Sequence, residues 1–379
     1  MWYTSSVNKK AKVFVGVSGG VDSSVSLMLL RDAGYDVTGV FIKTWQPDFI
    51  ECTMVEERRD AIRVCAHAGV PFLELDAEEA YKKHVADYLV KGYEAGRIPN
   101  GDILCNREIK FGVFSEFAKA HGADYVATGH YAKKVISDEG LGNRENQNTN
   151  PVRFSLLANP SEKDQTYFLW KLTQDDLAHI LFPLGDLTKP EVRKLAQIYN
   201  LPTAIKKDSQ GVCMLGDLDM KDFLLHYIKE EEGNVVLQNG TKIGTHKGVR
   251  FYTVGERHGF TLTENSPEQK PYYIIARDIK KNELVVTNSP EEIFGKPLEV
   301  TFSEANAIRE TFLVGQKFDV RFRHRGTLYP GVVKKVDSES IVVAFNGLDK
   351  GIDVGQSGVF YENEECLGGG VIEHVAHIM

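Results

Sequence analysis

The chain has 379 residues, 42% apolar and 26% charged, which at about 150 residues per domain suits two or three globular domains. No apolar run approaches the roughly 20 residues of a bilayer span, so a membrane protein is not expected. Lys and Arg number 45 against 53 Asp and Glu, and a net charge of −8 argues against coating nucleic acid by bulk attraction; a polyanion partner needs a local basic surface.

In chain order, residues 12–17 read as a strand bounded by Ser-Gly-Gly, 24–33 as a helix closed by Gly34, and 37–42 as a second strand. The alternation continues with a helix near 56–67, a strand at 71–76, helices near 79–94 and 107–121, and a strand at 125–128. This predicts an α/β fold with a doubly wound parallel sheet. The polar, Asn-rich stretch 141–150 predicts a surface loop. Thr188 and Glu191, with Pro190 between them, form a capping box that opens a helix through Tyr199. From about residue 229, closely spaced glycines punctuate short segments, as in a small β-containing module. Beyond Tyr272, alternating runs at 283–287, 318–323, 331–335 and 340–345 predict a β-barrel or sandwich. The expected organisation is an α/β domain over 1–215, a small central domain over 216–285 and a C-terminal β-barrel over 286–379.

Five cysteines, Cys52, Cys65, Cys105, Cys213 and Cys366, are odd in number and contain no C-x-x-C pair. They give neither a disulfide framework nor a zinc site, and suit thiols in a reducing compartment. With no apolar segment of signal-peptide type after Met1, a cytoplasmic location is expected.

The strongest local signal runs through Gly16, Val17, Ser18, Gly19, Gly20, Val21, Asp22, Ser23 and Ser24, between the first strand and the first helix. Adjacent glycines let backbone N–H groups approach phosphate oxygens, the serine hydroxyls add donors, and the helix contributes its positive end. No Gly-Lys-Ser/Thr follows, and the G-x-G-x-x-G spacing is absent, so neither a Walker loop nor a dinucleotide fingerprint is present. The string resembles the PP-loop of the N-type ATP pyrophosphatases, which implies ATP cleaved between its α and β phosphates and a substrate adenylated. Asp22 does not bind phosphate through its charge; it is expected to bridge Mg²⁺ or to serve as a hydrogen-bond partner.

Cys105 precedes a helical pattern in which Asn106 is the expected N-cap, with Arg107 and Lys110 close by, a setting that favours thiolate. Cys213 sits in a loop-like stretch after Pro202. Taken singly, either cysteine reads as a small buried hydrophobe. Beside an adenylating loop they suggest sulfur insertion: one thiol carries a persulfide, and the second resolves it as a disulfide. Cys52, Cys65 and Cys366 have no comparable surroundings.

Together with 99–111, 128–132, 163–169, 208–213 and 354–357, these strings stand in the order seen in the tRNA-specific 2-thiouridylases, and the chain resembles that family over nearly its full length. The resemblance implies ATP- and Mg²⁺-dependent sulfur insertion at C2 of the wobble uridine in tRNAs for Lys, Glu and Gln. The sulfur comes from a sulfur-carrier protein or a cysteine desulfurase. It implies that Gly16 to Ser23, Ile42 and Gly129 hold the nucleotide, and that Asn100, Gly101 and Asp102 meet the target base. Cys213 bears the persulfide, Cys105 is its catalytic partner and disulfide mate, and Asp102 is a candidate acid or base. Contacts to tRNA are implied at His130, Lys163, Asp164, Gln165, Arg323, His324 and Gln356. Gly101 stands where many members have Pro, and Glu256 where Gln is usual. His130 reads equally well as a satisfied structural histidine.

Between Arg321 and Lys335 there are five Lys and Arg and no acid, on an expected hairpin able to track phosphates. Two other readings keep part of this pattern. A PP-loop ligase or amidotransferase acting on a small molecule needs neither cysteine. A thiouridylase built on an iron–sulfur cluster uses both thiols and Asp102 as ligands.

Overall fold

The computed structural model describes residues 10–49, 53–137, 152–207, 219–264, 270–338 and 340–378. The expected loop at 141–150, Cys52 and Cys213 lie outside the described residues. The chain divides into two compact units, one of Met1–Val85, Asp102–Asp217 and Glu364–Cys366, the other of Ala86–Gly101, Leu218–Asn363 and Leu367–Met379.

The first unit opens with β1 (Lys12–Gly16), α1 (Val21–Asp32), β2 (Asp36–Lys43), α2 (Met54–Ala68) and β3 (Phe72–Asp76). Helix α3 (Glu78–Tyr81) passes through a π-helical turn, Lys82–Ala86, into α4 (Asp87–Glu94), which is counted with the second unit. Then come α5 (Gly101–Leu104), a π-helical segment Cys105–Val113, α6 (Phe114–Ala120), β4 (Tyr125–Ala127), β5 (Ala132–Ile136), β6 (Phe154–Ala158), α7 (Gln174–His179), β7 (Ile180–Leu181) and α8 (Lys189–Ile198).

The main sheet has the order β3-β2-β1-β4-β7, and every pairing is parallel. Its central strand β1 buries Val13, Phe14 and Val15 alike, the near-continuous apolar run of a strand covered on both faces. Leu27 and Leu30 of α1, Ala61 and Cys65 of α2, and Val192 and Ala196 of α8 share one core with it. Each large side chain so buried stabilises the fold by about 1.5–3 kcal/mol. The chain leaves β1 toward β2 on one side, while β4 joins on the other. This reversal opens a crevice at the carboxyl ends of β1 and β4, where doubly wound sheets take their ligands. Strands β5 and β6 form a separate antiparallel hairpin, to which Glu365 and Cys366 add by pairing with Leu157 and Leu156.

Three sequence expectations need correction. Helix α1 starts at Val21 rather than 24, so Val21, Asp22 and Ser23 form its first turn. The helix expected from 107 starts at Gly101 and continues to Ala120 through the π-helical segment. Asn106 is therefore inside the helix and not its N-cap; its side-chain amide donates to the Phe168 carbonyl at 3.2 Å. The β5–β6 hairpin and β7 were not anticipated, because Lys133 and Lys134 break the apolar pattern of β5 and β7 is two residues long.

In the second unit, α9 (Met220–Leu225) is capped by the Asp219 carboxylate. A five-stranded sheet follows, built from β8 (Gly233–Leu237), β9 (Lys242–His246), β10 (Thr261–Leu262), β11 (Tyr273–Asp278) and β12 (Glu283–Thr287). Val235, Val249, Ile274, Leu284 and Val286 form its core. After α10 (Glu291–Phe294), six strands make an antiparallel barrel: β13 (Leu298–Ala307), β14 (Lys317–Arg321), β15 (Leu328–Val336), β16 (Ser340–Phe345), β17 (Ser357–Glu362) and β18 (Glu365–His377). Pairing of β13 with β18 closes it. In β16 burial alternates, with Ile341, Val343 and Phe345 inward, the two-residue period of a strand covered on one face. The segment before Gly101 is tied into this unit: Ile98 N–H donates to the Val354 carbonyl at 2.8 Å, and Arg277 Nη2 donates to the Gly96 carbonyl at 2.7 Å and to Asp353 Oδ1 at 2.6 Å. Among the described residues no helix is long and apolar enough to cross a membrane.

Candidate active site

The phosphate-loop string lies where β1 ends at the sheet crevice. Gly19 has φ +71°, and a β-carbon there would sit 2.4 Å from the Glu57 carbonyl oxygen, so both conformation and space require glycine. The hydroxyls brace the loop: Ser24 Oγ donates to the Gly20 carbonyl at 2.6 Å, Ser23 Oγ to the same carbonyl at 3.2 Å, and Ser18 N–H to Ser23 Oγ at 3.3 Å. Gly20 caps α1 without a side-chain bond, which leaves the positive end of a 12-residue helix at the crevice for an anion. Gly129 follows β4, and a β-carbon on it would lie 2.8 Å from Ser23 N and 2.9 Å from Asp22 C.

These groups wall a cavity of about 410 Å³, within the roughly 300–1,000 Å³ of small-ligand sites. Every residue expected to hold the nucleotide lines it except Gly19: Gly16, Val17, Ser18, Gly20, Val21, Asp22, Ser23, Ile42 and Gly129. Thr44, Gln46, Met54 and Glu57 continue the Ile42 wall, and Lys110, Lys163 and Lys207 bring positive charge. Burial pushes the Glu57 carboxyl above its ordinary range. Gln46 Oε1 is shielded from solvent and accepts no hydrogen bond, so this wall offers an acceptor to a ligand N–H.

Asp22 is held in place. Its Oδ1 accepts from the Tyr131 hydroxyl at 2.7 Å and from Lys189 Nζ at 2.7 Å, and its Oδ2 accepts from the same ammonium at 2.9 Å. Tyr131, which stands in the 128–132 string without an assigned role there, and Lys189, which stands in none of the family strings, lie 109 and 167 residues from Asp22 in sequence.

Asp102 and Asn106, one helical turn apart, line the cavity, while Cys105 between them is fully buried. The helix changes there from α to π, an irregularity frequent at functional sites. His130 also lines the cavity, with both ring nitrogens engaged: Nδ1 accepts from Thr128 Oγ1 at 2.7 Å, and Nε2–H donates to Asn106 Oδ1 at 3.1 Å. Burial, then the Lys110 charge, holds its imidazole well below the ordinary range, so the ring is neutral. Lys163 and Gln165 reach the cavity, and Gln165 Oε1 accepts from Tyr131 N–H at 2.9 Å. Asp164 instead organises its own turn, accepting from Thr166 Oγ1 at 3.0 Å and Asn159 N–H at 3.2 Å.

The remaining expected contacts belong to the second unit. Asn100 and Gly101 end its 86–101 segment. Arg323 Nη2 donates to the Val254 and Gly351 carbonyls, each at 3.2 Å, and Gln356 Oε1 accepts from Asp353 N–H at 3.0 Å. His324 lies in the connection between β14 and β15, the hairpin that carries the basic run. Cys213 falls outside the described residues.

Comparison with known proteins gives three consecutive family matches. Residues 11–217 match a profile described as a tRNA methyl transferase HUP domain, 221–288 a tRNA methyl transferase PRC-barrel domain, and 300–372 an aminomethyltransferase beta-barrel domain. The chain is 39% identical to a tRNA-specific 2-thiouridylase of Bacillus subtilis over 373 residues, 96% of this chain and 95% of that one. Its identity to the enzyme of the same name from Lactobacillus delbrueckii is 39%, over 97% of this chain and 96% of that one. Among solved structures, a 4-thiouridine synthetase with RNA and ATP aligns at a TM-score of 0.33 and 19% identity. It covers 54% of this chain and 44% of that one, a likeness too slight to carry weight.

Proposed function

This chain belongs to the tRNA-specific 2-thiouridylase family, and on that premise we propose how its residues replace a uridine oxygen by sulfur. It is a tRNA-uridine 2-sulfurtransferase that forms 2-thiouridine in tRNA and uses ATP. The profile descriptions speak of methyl transfer, but transfer of a methyl group gives a phosphate loop no task, and the full-length relatives are named thiouridylases.

In the proposed route the triphosphate lies against the uncapped end of α1, between the loop and Gly129, with Lys110, Lys163 and Lys207 on the same cavity. The base faces the Ile42 wall, where Gln46 Oε1 suits an amino N–H. The uridine O2 attacks the α phosphorus, pyrophosphate leaves, and C2 now carries an adenylate. The terminal sulfur of a Cys213 persulfide attacks C2, and AMP departs with the former uridine oxygen. Cys105, buried in the free protein, is exposed as tRNA docks, and its thiolate then attacks Cys213 Sγ. The S–S bond to the transferred sulfur breaks, a Cys105–Cys213 disulfide forms, and C2=S remains. A thiol reductant resets the pair. Asp102, which lines the cavity one turn from Asn106, is the acid or base of this route. The basic β14–β15 hairpin, with Arg323 and His324, suits tRNA phosphates, and a sulfur-carrier protein or cysteine desulfurase supplies the persulfide in a reducing cytoplasm. Mg²⁺ is taken up with the nucleotide rather than at a preformed seat.

The observation that carries this reading is the convergence of the phosphate loop, Gly129 and the Asp102–Asn106 turn on one cavity of the first unit. Purified protein with tRNA, ATP, Mg²⁺ and a persulfide source should give one AMP per 2-thiouridine formed. AMP released with no thiolated nucleoside would point to the small-molecule adenylating reading.

A further inference from the structure

Lysine in the first turn of a helix is placed against the helix dipole, which favours acidic residues there. Helix α8 begins at Lys189, and its Thr188–Glu191 capping box supplies the carboxylate that the N-terminus prefers. The ammonium turns instead to Asp22, bridging both carboxylate oxygens at 2.7 and 2.9 Å, with its side chain 14% exposed. It lies 6.0 Å from the centre of the Tyr131 ring, whose hydroxyl takes the remaining place on Oδ1. A Mg²⁺ ion demands near-octahedral oxygen ligands at about 2.0–2.1 Å. At Asp22 it would meet a carboxylate already bridged by a cation, and among the described residues no group of three or more His, Cys, Asp or Glu gathers to hold a metal. The loop aspartate therefore does not fit the metal-bridging alternative.

We propose that Lys189 is a positioning residue: a built-in cation takes the place a metal would have on Asp22 and fixes the first turn of α1 for phosphate. Gly129 packs closely against the same turn, a β-carbon there falling 2.8 Å from Ser23 N and 2.9 Å from Asp22 C. Asp22 thus acts as an anchor of the loop and not as a metal ligand. The inference rests on the ATP-dependent reading above and adds a residue to it.

Two measurements on the full-length chain test it. In manganese titrations followed by electron paramagnetic resonance without nucleotide, the wild type and Asp22→Asn should bind Mn²⁺ alike. A wild-type Mn²⁺ site abolished by Asp22→Asn would overturn the proposal. In equilibrium binding, Asp22→Asn should weaken metal-free ATP and its Mg²⁺ complex by the same factor; a loss confined to the metal complex would also overturn it. Lys189→Met should raise KM for ATP by about tenfold, leave KM for tRNA unchanged and be largely rescued by Lys189→Arg, whereas an unchanged KM for ATP would refute the positioning role. The wild-type titration needs no variant that must fold. Failure of the wild type to form 2-thiouridine would strike the functional reading and leave the metal result standing.

Discussion

Gly129→Ala isolates the contact between the end of β4 and the phosphate loop. Glycine 129 does not have a left-handed backbone, so the substitution acts through space alone. The added carbon would lie 2.8 Å from Ser23 N, 2.9 Å from Asp22 C and 3.1 Å from Asp22 Cβ, two of them backbone atoms that no rotamer change can remove. Restoring ordinary contact needs a separation of about half an ångström, an overpacking that costs about 1–3 kcal/mol. A shift of that size at the first turn of α1 should raise KM for ATP by about tenfold. Gly122→Ala is the control: it has φ +75° and nothing within 4 Å, so it should lose about 1–2 kcal/mol to backbone strain without touching ATP. Urea denaturation reads the stability, and tRNA-dependent pyrophosphate release reads KM. A Gly129→Ala enzyme with wild-type KM for ATP, or equal KM changes in both variants, would refute the placement of the nucleotide between loop and strand.

Cys105→Ser and Cys213→Ser should each abolish 2-thiouridine, measured by nucleoside mass spectrometry, while tRNA-dependent pyrophosphate release persists; full product in both would exclude sulfur transfer through these thiols. His130 is held neutral by burial, so below its ordinary value of 6.5 the unfolded chain takes up a proton that the folded chain refuses. Stability should therefore fall with pH below that point, by up to about 1.4 kcal/mol per unit more than in His130→Gln, and parallel pH profiles in urea melts would contradict the assignment. Arg277 and Asp353 form a buried pair, 4% and 7% exposed, that also ties down Gly96. Arg277→Met should cost about 3–5 kcal/mol in urea denaturation, with part recovered in Arg277→Met/Asp353→Leu; a loss within experimental error would show the pair to be dispensable.

The phosphate loop was legible because its chemistry is local: glycine freedom, hydroxyls and a helix start fall within nine consecutive residues. The alternation of strand and helix likewise gave the parallel sheet, and the period of two gave the strands at 283–287 and 340–345 to their ends, although 283–287 belongs to the five-stranded sheet and not, as its alternation suggested, to the barrel. What escaped depends on distant partners. The strand order that creates the crevice at β1 and β4 cannot be read from segments one at a time. Asn106 looked like a cap because it stands just ahead of a charged, periodic stretch, whereas Gly101, Asp102, Ile103 and Leu104 already form a helical turn that the Gly disguises. The pattern near 79–94 reads as one helix, yet its second half is counted with the other unit after a π-helical turn that has no sequence signature. Lys189 did carry a signal: a lysine at the wrong end of a helix dipole. Of the candidate tRNA contacts, Asp164 shows how a polar residue in a motif can be occupied by its own turn.

The route turns on the uridine O2 becoming the oxygen that leaves with AMP. Transfer RNA labelled with ¹⁸O at O2 of the wobble uridine, turned over with ATP and a persulfide source, should yield AMP carrying one ¹⁸O in its phosphate for each 2-thiouridine formed. Thiolated tRNA accompanied by unlabelled AMP would mean that the oxygen leaves by another path, and that the phosphate loop does not activate the base.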